Sequence, residues 1–269
     1  MNKPTGDDWF NAARWAATTL AVVGVGGAAA VAYRRQDINE QAHKLEAERH
    51  EADRERELRS RFTTIAEQLS GKASVRLAGA YALAALADDW YRFERKDERQ
   101  VCVSLLCAQL RSPRRAKPNE EEDEFRETVV SIISQHRPSD AENSWSSCGL
   151  DLRGSDLSGL NLSDANLSGC RTNLTGANLT GANLTAADFT CANLSGEARF
   201  DGADLNGTVL NRANLAHAHL AAHLNNVKLN YADLTCADLA RATFGGKTES
   251  DQTKWPEGFQ LTNQSQSGE

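Results

Sequence analysis

Aromatic residues are scarce, at 6% of the 269-residue chain, and methionine occurs once. Cysteine is scarce as well. Six cysteines (Cys102, Cys107, Cys148, Cys170, Cys191, Cys236) are too few and too scattered for a disulfide framework, and with no C-x-x-C among them neither a zinc site nor a redox pair is signalled. Basic charge is also in deficit: 30 Lys and Arg against 37 Asp and Glu give a net −7, against a chain built mainly to grip nucleic acid by its phosphates. No G-x-S-x-G elbow and no H-E-x-x-H occur. Hydrophobic residues nevertheless reach 40%, enough for a core in one or two domains.

Residues 1–14 form a short amino-terminal tail. From Ala16 to Tyr33 no charge occurs, and Trp15 and Tyr33 bracket the run. That length is at the lower limit for a membrane-spanning helix, so 15–33 is expected to be a transmembrane helix. Gly24 and Ala28 form a small-xxx-small pair suited to close helix approach. A cleaved signal peptide is the rival, since Ala30-Val31-Ala32 resembles a cleavage site. Arg34 and Arg35 favour an uncleaved anchor with the carboxy-terminal side in the cytoplasm.

Residues 34–61 lack Gly and Pro and balance eight bases against eight acids, with favourable i,i+4 pairs such as Glu40–Lys44 and Glu57–Arg61. A charged helical stalk is expected. Ile38, Leu45 and Ala52 recur every seven residues, a weak coiled-coil signal because the alternate positions are polar. Residues 62–112 read as short amphipathic helices, a HEAT- or armadillo-like unit or a plain bundle. Residues 113–149 hold a basic, proline-containing linker and then an amphipathic helix carrying Phe125, Val129, Ile132 and Ile133. Asn119 and the acids that follow it suit a helix start.

Beyond Gly149 the period becomes five. Leu152, Leu157, Leu162, Leu167, Leu174 and their successors to Phe244 recur, with a small residue two places before most of them and Asn or Asp between. Neither 3.6 nor 2 matches that period. A solenoid does, if each pentad forms one side of a square coil with Leu or Phe and the small residue facing inward. Nineteen such positions give nearly five coils and a rod about 24 Å long. Three steps are irregular: seven residues from Leu167 to Leu174, six from Leu194 to Phe200, and four from Leu220 to Leu224. Both rod ends need covers. The Phe125–Ile133 helix is a candidate for one, and Trp255, Phe259 and Leu261 for the other.

The A-(D/N)-L-x-x pattern, matched by Gly-Ala-Asn-Leu-Thr at 176–180 and 181–185, resembles the pentapeptide-repeat family. The resemblance implies a right-handed quadrilateral β-helix over 150–244, with a C-terminal cap and tail over 245–269. The remainder is similar to membrane-anchored bacterial members, chiefly actinobacterial. The segments 61–69 and 75–83 and the tail Thr253-Lys254-Trp255-Pro256-Glu257-Gly258-Phe259 carry that likeness. The resemblance brings no assigned activity.

His217, His219 and His223 are crowded, but the repeat register points them outward and no carboxylate or cysteine completes a ligand set. Gly246-Lys247-Thr248 resembles the end of a P-loop, yet Arg241 stands where the first glycine is required. Cys191 and Cys236 fall at outward corners. No catalytic, cofactor-binding or metal residues and no cofactor are therefore expected. The expected function is that of a non-enzymatic, membrane-tethered scaffold binding protein partners at the cytoplasmic face of the cell membrane. Homodimerisation through the membrane helix or stalk is open. The alternative is a DNA mimic that modulates a type II topoisomerase (gyrase). Nine acids against six bases over 150–244 make a weakly charged mimic, and nucleic acid itself is disfavoured as a partner.

Overall fold

A computed structural model describes residues 6–114, 120–138 and 143–261. Within α1 the side chains of residues 6–8, 12, 22–26, 28 and 29 are not described, nor is that of Ala73. The expected helix start at Asn119 lies outside the described residues, as do most of the 113–118 linker and the end of the tail.

Helix formers without a break give α1 (Gly6–Gln68), 63 residues long. The expected span over 15–33 does not emerge as a separate element, because the segment runs unbroken into the charged residues that follow. Among the described residues no helix is long and apolar enough to cross a membrane. The segment draws most of its length from Ala and Gly, which offer little apolar surface. Two compact units divide within α1, 1–59 and 60–269. In the first, Trp15, Leu20, Val31, Tyr33, Ile38 and Leu45 are exposed.

The second unit begins with the last turns of α1, where Ile65 is buried, as is Leu69 just beyond. Three helices follow: α2 (Ala73–Arg92), α3 (Lys96–Arg111) and α4 (Glu120–Gln135). Small residues let α2 pack closely. Ala80 and Ala87 are buried with Leu83, Leu86 and Trp90, and a Cβ on Gly79 would stand 3.2 Å from Gln68 Cβ and 3.3 Å from a Leu69 methyl. Cys102, Val103, Leu106, Cys107 and Leu110 of α3 and Phe125, Val129, Val130, Ile132 and Ile133 of α4 complete this core.

From Leu150 the chain winds into stacked coils. Among the described residues four short strands form, paired parallel as β1 (Leu150–Asp151) with β2 (Thr172–Asn173) and β3 (His223–Asn225) with β4 (Thr243–Gly245). Single parallel bridges continue the pairing along four faces. One face stacks Asp151, Asn173, Asn193, Asn214, Asp233 and Lys254, so the rod has six layers there. The coils do not stop at Phe244, since Lys228 bridges Glu249 and Asp233 bridges Lys254.

Each pentad has the same local logic. The Leu or Phe side chain points inward, and Leu152 through Leu234 are buried throughout this column. The residue two places earlier is buried too, as Ala177, Ala182 and Ala187 show. The residue between them carries the ladder: Leu157 N–H donates to Asn178 O at 2.8 Å, and Asn178 N–H donates to Ser155 O at 2.8 Å. Its side chain closes the corner, as Asp188 Oδ1 accepts Thr190 N–H at 2.8 Å and Thr190 Oγ1–H at 2.6 Å. Such Asx turns explain the Asn and Asp there and the Ser and Thr two places on.

Most corners also use a left-handed residue two places after the Leu or Phe, as in a type II turn, though Ala222 and Arg241 do not adopt it. Gly176, Gly181 and Gly202 supply it at φ +67. Ala186, Arg212, His217 and Tyr231 adopt it despite their Cβ atoms. The irregular steps appear directly in the stacking. Asp156 and Asn178, separated by the seven-residue step, bridge 22 residues apart, whereas Asn214 and Asp233, separated by the four-residue step, bridge 19 apart. The short step is turned by Ala222 N–H donating to Leu220 O at 2.7 Å.

Candidate interaction surface

The first coil has no predecessor, so the backbone groups on its leading edge lack a ladder partner. Side chains of α3 and α4 take that place. Gln100 accepts from Gly149 N–H at 2.8 Å and donates to Gly149 O at 2.9 Å, imitating a strand. Arg111 donates to Asp151 O at 2.7 Å, and Arg126 to Asp156 O at 3.2 Å. Glu127 accepts from Asn161 N–H at 2.6 Å, and Ser134 Oγ from Asn166 N–H at 2.7 Å. These bonds protect an edge that would otherwise invite pairing with another chain, so the first coil's edge is closed to partners at these positions.

Arg126 is the centre of this cover. Fully buried, it also donates to Leu110 O at 2.8 Å and Ser112 O at 2.6 Å, and it pairs with Glu122 at 2.9 Å. Arg76 holds the other oxygen of Glu122 at 2.6 Å and lies 4.0 Å over the Phe125 ring. Burial works against the charged Glu122 carboxylate, but the two guanidiniums outweigh it and hold its pKa below the ordinary value. Arg137, also buried, donates to the carbonyls of Trp145, Cys148 and Ser168. Sequence reasoning missed this set. Its one legible signal was a charged residue, Arg126, set inside the apolar stripe of Phe125, Val129 and Ile133.

The far end is covered by aromatic rings. Trp255 occupies the inward position after Lys254. Its ring lies 5.9 Å from Phe244 and 5.0 Å from Phe259, and Phe244 and Phe259 are 5.8 Å apart.

What remains open is the outside of the coils. His219 stands between Arg199 and Asp238 on one face, 3.9 Å from the Asp238 carboxylate. His223 lies on the next face, its Nδ1 3.0 Å from Thr243 Oγ1, and His217 sits at a left-handed corner. The three do not converge, and among the described residues no group of three or more His, Cys, Asp or Glu is placed to hold a metal. Gly246 and Lys247 belong to a corner of the last coil, where Lys247 N–H donates to Asn226 Oδ1 at 3.0 Å. Among the described residues no helix follows them, so the strand–loop–helix of a P-loop is not formed. Cys191 and Cys236 occupy left-handed corners at φ +61 and +59. Cys191 is half-buried and Cys236 exposed.

A cleft of about 790 Å³ opens beside α2 and α3, lined by Tyr91, Arg92, Glu94, Lys96, Arg99, Ser144 and Ser147. Arg99 forms its floor, 4.7 Å over the Tyr91 ring and bonded to the carbonyls of Asn143 and Ser144.

Period, inward column and polar exterior together define a square-coil repeat protein. The family model for pentapeptide repeats matches eight copies, over residues 148–171, 171–196 and 197–221. The chain belongs to the pentapeptide-repeat family, whose members are generally non-enzymatic structural repeat proteins. Among solved structures it is similar to a pentapeptide repeat protein from Nostoc Pcc 7120, with 31% identity over 39% of this chain and 78% of that one, and a TM-score of 0.21. A pentapeptide repeat protein of the Arabidopsis thaliana thylakoid lumen shares 30% identity over 38% of this chain and 59% of that one, with a TM-score of 0.14. One from the cyanobacterium Cyanothece 51142 shares 33% over 31% of this chain and 63% of that one, with a TM-score of 0.13. No curated protein matches.

Proposed function

We propose that this chain is a non-enzymatic scaffold whose coil faces bind protein partners. The observation that carries this reading is the exterior of the rod: side chains repeat at coil spacing on a backbone fixed by the ladder, while helices and aromatic rings occupy its ends. A surface of that kind presents a preorganised pattern, and preorganisation lowers the cost of binding.

The scaffold is held at the cytoplasmic face of a bacterial cell membrane, of the actinobacterial type that the sequence resembles, through residues 15–33. The uncharged run and the exposed Trp15, Leu20, Val31 and Tyr33 support this attachment. Fractionation of the full-length chain tests it: recovery in the membrane pellet with release only by detergent is expected, and a wholly soluble chain would remove the tether. A mimic of DNA fits the rod less well, because Arg199 and Lys228 interrupt two of its outward columns.

Partner capture with the full-length protein tests the scaffold itself. Partners retained by the wild type and lost when Arg199, Asp204 and His223 are each replaced by Ala are expected. Identical partner sets for wild type and all three variants would contradict it.

A further inference from the structure

The seven-residue step from Leu167 to Leu174 places Gly169, Cys170 and Arg171 at one corner of the first coil. Gly169 N–H donates to Thr190 O, one coil on, at 2.7 Å, and Thr172 N–H closes the turn on Gly169 O at 2.9 Å. Cys170 directly follows the donor and Cys191 directly follows the acceptor. The two cysteines, 21 residues apart in sequence, therefore sit on neighbouring coils, which stack about 4.8 Å apart. Gly169 is the direct counterpart of Cys191, each lying two places after an inward residue and donating to the next coil, so Cys170 faces Cys191 diagonally across this gap, an arrangement compatible with the Cα separation of about 4.4–6.8 Å that a disulfide spans. Cys191 adopts a left-handed corner at φ +61. Both thiols are free; Cys170 is exposed and Cys191 half-buried. Burial, followed by a hydrogen bond with the Cys170 thiol, raises the Cys191 pKa. Cys102, Cys107 and Cys148 are buried, and Cys236 lies beside the corner of His217, on another edge of the rod.

We infer that Cys170 and Cys191 are a modification site, a dithiol that closes reversibly into a disulfide joining the first coil to the second. A small-molecule disulfide is the oxidant. The thiolate of the exposed Cys170 attacks one sulfur of oxidised glutathione, forming a mixed disulfide and releasing one glutathione. The Cys191 thiolate then attacks the Cys170 sulfur, forming the protein disulfide and releasing the second glutathione. Two protein thiols are oxidised, one glutathione disulfide is reduced, and the two thiol protons leave with the two glutathione thiols. The bond fixes the corner next to the contacts of Arg137 with Ser168 O and of Arg171 with Ser147 O, where the helices meet the coils.

Tryptic mapping of the full chain tests this. Cleavage after Arg153, Arg171 and Arg199 leaves Cys170 alone on peptide 154–171 and Cys191 alone on peptide 172–199. After native treatment with oxidised glutathione and alkylation of the remaining thiols, a joined species is expected, lighter by two hydrogens than the two peptides together. Dithiothreitol should abolish it. In Cys170→Ser the remaining Cys191 should be recovered free or glutathionylated and never joined. Separate, singly glutathionylated or alkylated peptides from the wild type would overturn the inference. So would cross-links to Cys236 as abundant as the Cys170–Cys191 species.

Discussion

Arg126 donates to the carbonyl of Asp156 at 3.2 Å, placing a helix side chain where a preceding coil would have supplied an N–H. The same guanidinium satisfies the carbonyls of Leu110 and Ser112. One buried cation thus ties α3, α4 and the first coil together. Replacing Arg126 by Met leaves those carbonyls without their donor and Glu122 with one cation fewer. Breaking a buried, charge-assisted set costs about 3–5 kcal/mol. Urea denaturation should show a midpoint lowered accordingly, and a midpoint equal to wild type would mean that the edge needs no such cover.

Leu205 stands in the inward column, fully buried, between Leu184 and Leu224 on its face. Leu205→Ala should cost about 2–5 kcal/mol. Thr185→Ala, at an outward position, should stay within about 0.5 kcal/mol. Thermal unfolding of the two variants side by side checks the contrast.

The corner geometry makes a separate prediction. A Cβ on Gly181 (φ +67) would meet no atom within 4 Å, so Gly181→Ala isolates the backbone effect and should destabilise by about 1 kcal/mol. Ala186, at φ +57, already carries that strain, and Ala186→Gly should recover up to about 1 kcal/mol. Equal stability of all three proteins would show that the corners are not left-handed.

Stability should depend on pH through two groups of opposite sign. Hydrogen bonds from Arg153, aided by the Arg111 charge, hold the Asp151 carboxyl at about 2, below its ordinary 3.8. Its contribution is present above pH 3.8 and is lost as pH falls toward 2. Hydrogen bonding to Asp88 raises the His136 pKa above 6.5, with the ring stacked on Trp145 at 4.2 Å. That contribution is complete below pH 6.5 and is lost as pH rises through the folded value. Titration of the His136 ring by NMR should give a midpoint above 6.5, and Asp88→Asn should bring it down.

The coils were legible because a five-residue period has few physical solutions, and the Leu and Ala columns state it repeatedly. The last coil was not, because Ser250 and Trp255 stand where the pattern calls for Leu. The continuity of α1 was obscured by Gly24, Gly26 and Gly27, which punctuate the sequence without ending the helix. Gln100, Arg111 and Arg126 were invisible as an edge cover, since each is an ordinary helix residue until the first coil is placed beside it. The proximity of Cys170 and Cys191 depends on the inserted residues at one corner, which a strict period cannot register.

Amide hydrogen exchange across the repeat tests the stacked coils most directly. Leu179, Leu184 and Phe189 donate to the carbonyls of Arg199, Asp204 and Val209 one coil on, at 2.7, 2.8 and 2.8 Å. Thr180 N–H and Thr185 N–H reach only the side chains of Asn178 and Asn183. Slow exchange at the first three and fast exchange at the two threonines is the predicted result, repeating every five residues. Uniformly fast exchange through this stretch, or protection with a helical period, would contradict the account.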